Sequence, residues 1–283
     1  MLNKKYLRTF ISRALKEDVG SGDHTTLACI PEGKGGRSVL KVKEKGILAG
    51  VSVAKTIFQF LEPGIQFTAF MNDGDKMKPG DIAFEIRGDA HTLLTGERLA
   101  LNCMQRMSGI ATLTHQYAAK LKGHHTKLLD TRKTTPGFRA LEKEAVSIGG
   151  GYNHRMGLYD MIMLKDNHID FCGGIKPAIL KANEYNKKTG LDLPVEIEVR
   201  SLKDLKEVLS VGGVDRIMFD NFSPELTRKA VEMVAGSYET ESSGNITLEN
   251  MEEYAKMGVD FISAGAVIHH AVSLDLSLKA KLS

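Results

Sequence analysis

The sequence predicts an α/β protein in two parts: an amino-terminal α+β layer of antiparallel strands, then a (β/α) barrel, complete or incomplete. Three observations carry this prediction. The first ninety residues fall into short alternating segments divided by Gly, Pro and Asn-Asp-Gly turns. A long helical pattern, TLLTGERLALNCMQRMSGIATLTHQYAAKL, follows. Beyond it, six short strand-like runs (TKLLD, MIMLKD, PVEIEV, DRIMFD, GSYETESSG, VDFISAG) are for the most part separated by helical segments of about ten residues or more. Strand, helix, strand at this regularity means parallel strands joined by right-handed crossovers, and six such units favour a barrel over an open sheet. No GxGxxG follows a strand, which disfavours a dinucleotide-binding domain.

Taken in order, residues from Lys4 to Glu17 place Leu7, Phe10, Ile11, Ala14 and Leu15 at helical spacing, ended by the glycines of DVGSGDHTT. SVLKVKEKGILAG, IQFTAFMNDGD and IAFEIRG read as strands, with a short helix from Val51 to Leu61 between them. MNDGDKMKPGD reads as a hairpin, since Asp-Gly and Pro-Gly each supply turn geometry. Ser108-Gly109 reads as a hinge between a long helix and a second one that carries the chain onward. The division is placed at residue 112, with 1–112 the first domain, 113–269 the barrel, and 270–283 expected to pack back on the first domain. Among the barrel helices, Ser223 before Pro224-Glu225 is the clearest amino-terminal cap.

Composition excludes several classes. A formal net charge of +3, with lysines spread over helices, does not imply nucleic acid. Three separated cysteines without CxxC spacing argue against a disulfide framework or a zinc site and fit a reducing cytoplasm. No apolar run approaches membrane-spanning length, and the charged, amphipathic amino terminus reads as a first helix.

The most informative stretch is DTRKTTPGFRALEKEAVSIGGGYNHRMGLYDMIMLKDNH, residues 130–168. Arg132, Lys133, Arg139, His154, Arg155, Lys165 and His168 gather there, with Asp130 and Asp166 among them, where two buried strands emerge. Such charge at strand ends exceeds what packing uses; it describes a pocket for a ligand with several negative charges. Barrel sites lie at the carboxyl ends of strands. Those ends carry Asp130, Arg132 and Lys133; Lys165, Asp166 and Asn167; Glu196 and Glu198; Asp220 and Asn221; Ser243 and Gly244; Gly265 and Ala266. Cations come from the first two strands, carboxylates from the middle two, and small residues that expose backbone N–H groups from the last two. A phosphate suits the last group. Carboxylates opposite cations suit a sugar with Mg²⁺, an ion held through one or two carboxylates plus phosphate oxygens. Each residue also has a plain structural reading. Asp220 can cap a helix, isolated histidines are mostly structural, and Glu196 and Glu198 share one strand face near a hydrated rim.

Several segments resemble one family: EDVGSGDHTT, GERLALNCMQRMSGIAT, DTRKTTPGFRALEKEAV, GGGYNHRMGLYDMIMLKDNH, VEIEV, FDNF, SSGNI and ISAGAVIH. Together they resemble the quinolinate phosphoribosyltransferases over nearly the whole chain. The resemblance implies a homodimer or higher assembly, an amino-terminal sandwich domain, and an open (β/α) barrel. It implies the substrates quinolinate and phosphoribosyl pyrophosphate with Mg²⁺, and the products nicotinate mononucleotide, pyrophosphate and carbon dioxide. It assigns Arg98 to the neighbouring subunit's quinolinate, and Arg132, His154, Arg155 and Lys165 to its two carboxylates. Lys133 would meet the pyrophosphate-bearing substrate, and Thr131 would also bind substrate; Glu198 and Asp220 would lie near the ribose and metal, partly through water. Ser243, Gly244, Asn245, Ala264, Gly265 and Ala266 would cradle the 5′-phosphate, with His269 close by. Asn245, within ETESSGN, departs from the family form.

In this reading Lys133, Lys165, Glu198 and Asp220 are the catalytic group. Two other classes compete: an aldolase-like Schiff base on Lys165 or Lys133, which needs a lysine free of crowding cations, and a non-catalytic binder of phosphorylated ligands, for which paired carboxylates are superfluous.

Overall fold

A computed structural model describes residues 3–281; the end residues of the predicted domain ranges, 1–2 and 282–283, lie outside the described residues. The first part of the chain holds α1 (Lys4–Val19), α2 (His24–Cys29), β1 (Gly35–Val42), β2 (Gly46–Ile47), α3 (Val51–Leu61), β3 (Gln66–Ala69), β4 (Lys76–Met77), β5 (Ile82–Asp89) and α4 (Ala90–Lys120). Then come β6 (Lys127–Leu129), α5 (Arg139–Ile148), β7 (Ile162–Leu164), α6 (Asp166–Cys172), α7 (Ile175–Thr189), β8 (Val195–Val199) and α8 (Leu202–Val211). The chain closes with β9 (Arg216–Asp220), α9 (Pro224–Val234), β10 (Glu239–Ser243), α10 (Met251–Lys256), β11 (Phe261–Ser263), α11 (Ala266–His269) and β12 (Leu276–Ala280).

These elements form two units. One takes the chain up to His115, Thr134–Gly150 and everything from Ile268 onward; the other takes Gln116–Lys133 and Gly151–Val267. The boundary therefore lies three residues beyond the expected one, at 115 instead of 112. A larger difference is α5. Its sequence reads as a barrel crossover helix, yet it belongs to the first unit, where Leu141, Ala145 and Val146 are buried. Periodicity reports which face of a helix is apolar, not which domain covers it.

In the first unit an antiparallel sheet runs β12-β1-β5-β3, so the carboxyl-terminal segment returns as an edge strand. α1 begins where the Asn3 side chain accepts the Lys5 and Tyr6 N–H groups, and it buries Leu7, Ile11 and Leu15 on one face. α3 occupies its expected range and buries Ile57 and Phe58. Each such side chain contributes roughly 1.5–3 kcal/mol on full burial.

Two expectations fail here. The MNDGDKMKPGD segment is no self-paired hairpin: tight turns at Asn72–Asp75 and Lys78–Asp81 flank β4, which pairs with β2. Ser108-Gly109 is no hinge, because α4 runs unbroken through it. The Ser108 hydroxyl is fully buried, donating to Ala49 O (3.2 Å) and accepting the Ala49 N–H (3.0 Å). Gly109 makes room for backbone, since a Cβ there would lie 2.0 Å from Val272 O. Small residues in mid-helix mark a close approach in this case.

The second unit has six parallel strands in the order β6-β11-β10-β9-β8-β7. Among the described residues no ladder joins β6 to β7, and a single bridge from Leu129 to Tyr152 extends the β6 side. The barrel is open. Ser201 caps α8 by accepting the Asp204 N–H, and Ser223 caps α9 by accepting the Leu226 N–H, with Pro224 first in the helix. α6 escapes prediction because seven residues with only Ile169 buried leave no apolar period to read.

Candidate active site

The site is built by strand alternation. Glu196 and Glu198 on β8, Arg216, Met218 and Asp220 on β9, and Glu241 and Ser243 on β10 all lie two residues apart, so each set shares the inner face. Register sets Glu198 beside Met218, Met218 beside Glu241, and Asp220 beside Ser243. Strands buried on both faces normally read as apolar runs; these do not, because their inward positions line a charged interior.

At the carboxyl ends lies a cavity of about 530 Å³. Its walls hold Thr131, Arg132, Lys133, His154, Arg155, Lys165, Glu198, Asp220, Ser243, Gly244 and Asn245, together with Met163, Met218, Asn221 and Ser263. All six strands or the loops just after them contribute, which requires the sheet to curl. Twelve residues expected at strand ends or at the site, Asn221 among them, thus meet in one place. Met163, Met218 and Ser263 were missed; the alternation in MIML, RIMFD and FIS that places them was available.

Arg155 is buried, and both burial and the neighbouring Arg132 charge lower its pKa from the usual value, only partly offset by Glu196, Asp160 and Glu198. The two positive charges make this side of the cavity favourable for an anion. Lys165 Nζ is paired with Glu198 Oε1. Asp220, at the cavity wall, makes no side-chain hydrogen bond or ion pair among the described residues. Lys133 N–H donates to the Thr131 hydroxyl (3.1 Å), fixing the turn after β6.

The phosphate-type loop is locked. Asn221 N–H donates to Ser243 O (2.9 Å), and the Asn245 side-chain amide donates to Asn221 Oδ1 (3.0 Å). Asn221, Gly244 and Asn245 all have positive φ (57°, 91° and 52°), and a Cβ on Gly244 would sit 2.2 Å from Asn221 Oδ1. Asparagine enters this left-handed region more easily than other side chains, so Asn245 suits its position.

His154 lies at the floor. Its Nε2 is 3.0 Å from Glu196 Oε2 and 3.5 Å from Glu241 Oε2, while Nδ1 accepts the Arg155 N–H (2.8 Å). Its own N–H donates to Asp130 Oδ1 (2.8 Å). Burial resists a charge on this ring, while the carboxylates of Glu196 and Glu241 pull its pKa upward. Against them, the Arg155 N–H donated to Nδ1 favours the neutral form, which leaves the ring's proton on Nε2, facing the two carboxylates. Glu196 is raised by burial and by Glu241, whereas Glu241, though wholly buried, is held low by His154, Ser263 and Arg216.

Other expected residues lie elsewhere. Ala264 N–H donates to Leu129 O (3.0 Å), continuing the β11–β6 ladder, so it offers nothing to a phosphate. Gly265 and Ala266, at the entry to α11, do not line the cavity. His269 and Arg98 belong to the first unit: His269 packs edge-on against His270, and Arg98 is exposed on α4. In the 130–168 stretch, His168 Nδ1 accepts the Lys165 N–H at the start of α6, and Arg139 donates to the Thr134 hydroxyl.

Comparison with known proteins agrees with the geometry. Residues 23–108 match the quinolinate phosphoribosyl transferase N-terminal domain and residues 110–279 its C-terminal domain. The chain is 43% identical to a chloroplastic nicotinate-nucleotide pyrophosphorylase [carboxylating] of Arabidopsis thaliana, covering 96% of this chain and 82% of that one. It is 40% identical to a probable nicotinate-nucleotide pyrophosphorylase [carboxylating] of Bacillus subtilis, covering 100% and 96%. NadC of Streptococcus pyogenes superposes with a TM-score of 0.92 at 40% identity, covering 99% and 97%. With a charged open barrel and near full-length similarity in agreement, the chain belongs to the quinolinate phosphoribosyltransferase family.

Proposed function

We propose that this chain transfers the phosphoribosyl group of phosphoribosyl pyrophosphate to the ring nitrogen of quinolinate, with loss of carbon dioxide, giving nicotinate mononucleotide and pyrophosphate for NAD biosynthesis. The observation that carries the reading is the convergence of Arg132, Lys133, Arg155 and Lys165 on one cavity whose wall also holds Glu198 and Asp220.

Arg132, Arg155 and Lys165 receive the two quinolinate carboxylates, since planar guanidinium groups bind carboxylates in bidentate fashion and fix the ring for attack. Met163 and Met218 offer the ring an apolar, polarisable surface. The Ser243–Asn245 loop holds the 5′-phosphate, and Thr131 and Lys133 meet the pyrophosphate. As pyrophosphate leaves, positive charge develops at the ribose C1, and Glu198 and Asp220 stabilise it. The pyridine nitrogen forms the new bond to C1. The quaternised ring then accepts the electron pair from the adjacent C–CO₂⁻ bond; carbon dioxide departs, and a proton takes its place on that carbon. Mg²⁺, when bound with the pyrophosphate substrate, neutralises leaving-group charge. The unpartnered Asp220 and, less freely, Glu198 are the residues to hold it; two carboxylates suit an ion that keeps water and phosphate oxygens.

Arg98 is exposed and absent from its own chain's cavity wall. This supports a homodimer in which it reaches the neighbouring site. Three free cysteines support a reducing, cytoplasmic setting; among the described residues no helix is long and apolar enough to cross a membrane. Lys165 Nζ is engaged by the Glu198 carboxylate, which speaks against its use as a Schiff-base nucleophile. The test is incubation with phosphoribosyl pyrophosphate, Mg²⁺ and either quinolinate or nicotinate. Pyrophosphate and carbon dioxide from quinolinate alone are expected; turnover of nicotinate without carbon dioxide would overturn the acceptor assignment.

A further inference from the structure

Glu196 and Glu241 are fully buried, on strands separated by β9, and neither lines the cavity. Burying two carboxylates side by side is costly unless they are compensated. Two groups compensate them. From below, Arg216 Nη1 meets Glu241 Oε2 (3.1 Å), while its Nε and Nη2 meet Glu239 Oε2 (3.1 and 2.8 Å) and its guanidinium lies 3.9 Å from the Phe261 ring centroid. From above sits the His154 ring. His154 Nε2 and the two glutamates are also close enough to hold a metal ion, and the ring's own approach to them, 3.0 Å to Glu196 Oε2 and 3.5 Å to Glu241 Oε2, is that of an ion pair.

Both ring nitrogens therefore face protein: Nε2 the carboxylates, Nδ1 the Arg155 N–H. His154 lines the cavity directly beside Arg155, whose backbone N–H its Nδ1 accepts. We infer that Glu241 and Glu196 are positioning residues for the quinolinate site, clamping the His154 imidazole so that Nδ1 holds the backbone from which the Arg155 guanidinium enters the cavity. Asp130, accepting the His154 N–H, anchors the other side of the same residue. The inference rests on the quinolinate reading above and adds two residues, neither touching substrate, to the acceptor half of the site.

The test pairs kinetics with spectroscopy. In Glu241→Gln and Glu196→Gln, which preserve side-chain volume, KM for quinolinate should rise about tenfold while KM for phosphoribosyl pyrophosphate and kcat stay within about twofold. General loosening of the fold would move both substrates together. Equal changes in the two KM values, or none in a folded variant, would overturn the inference. On the unaltered protein, ¹⁵N spectra of labelled histidine, with His154 assigned by the signals lost in His154→Gln, should show Nε2 protonated and Nδ1 as an acceptor. The reverse pattern, or both nitrogens protonated at the assay pH, would overturn it whatever the stability of the variants, as would a stoichiometric divalent metal retained by protein dialysed against chelator and lost in Glu241→Gln. Failure of the wild-type protein to turn over quinolinate would instead remove the functional reading, leaving the histidine spectrum to test the clamp.

Discussion

Glu198→Gln separates the electrostatic role of this residue from a mere lining role. Its side chain is 11% exposed and paired with Lys165, so its charge acts in a partly dried environment. At about 4 Å from a full positive charge and an effective dielectric of about 20, a carboxylate contributes about 4 kcal/mol. Only the charge that develops between ground and transition state counts, and taking about half leaves about 2 kcal/mol, or roughly a 30-fold loss in kcat. The same substitution frees Lys165 for the quinolinate carboxylates. KM for quinolinate should thus stay level or fall, a direction that simple damage to the pocket does not produce. Steady-state release of pyrophosphate, with each substrate varied in turn, reads both constants. A kcat within about twofold of wild type, or a loss confined to a raised quinolinate KM, would refute the reasoning.

Other expectations follow from particular contacts. Arg155→Lys keeps a cation but loses the bidentate fork beside Arg132, so KM for quinolinate should rise at least about tenfold, far more than for an exposed Arg→Lys change such as Arg87→Lys; unaltered kinetics would remove Arg155 from the acceptor site. Gly109→Ala gains about 1 kcal/mol of helix propensity but drives a Cβ to 2.0 Å from Val272 O, at the upper end of an overpacking cost of about 3 kcal/mol, so a net loss of about 2 kcal/mol is expected in denaturant melts. Burial pushes the Cys103 thiol up to about 12, whereas Cys29 is exposed; a thiol reagent at neutral pH should label Cys29 rapidly and Cys103 only on unfolding.

Much of the site was legible because barrel geometry turns sequence position into place. Once MIMLKD, VEIEV and RIMFD are strands, Lys165, Glu198 and Asp220 must sit at their carboxyl ends. The misses have specific causes. Glu241 lies in ETESS, whose polar residues read as a strand end, and nothing local reveals that its partners are His154 and Arg216, 87 and 25 residues away in sequence. Ala264 sits in a small-residue run typical of phosphate loops, yet its N–H is consumed by one more rung of the ladder. His154 was legible as a site residue but its contacts were not, since its carboxylate neighbours come from β8 and β10. α5 and the unbroken α4 were misjudged because an apolar period and a Ser-Gly pair are silent about what packs against them.

The central claim is that cations hold quinolinate so that its nitrogen attacks C1 and the carboxylate beside that nitrogen departs. A single turnover with quinolinate carrying ¹³C in that carboxylate alone tests it directly. Release of the label as carbon dioxide in step with pyrophosphate, one for one, is the predicted result. Label retained in the nucleotide product, or carbon dioxide without pyrophosphate, would contradict it.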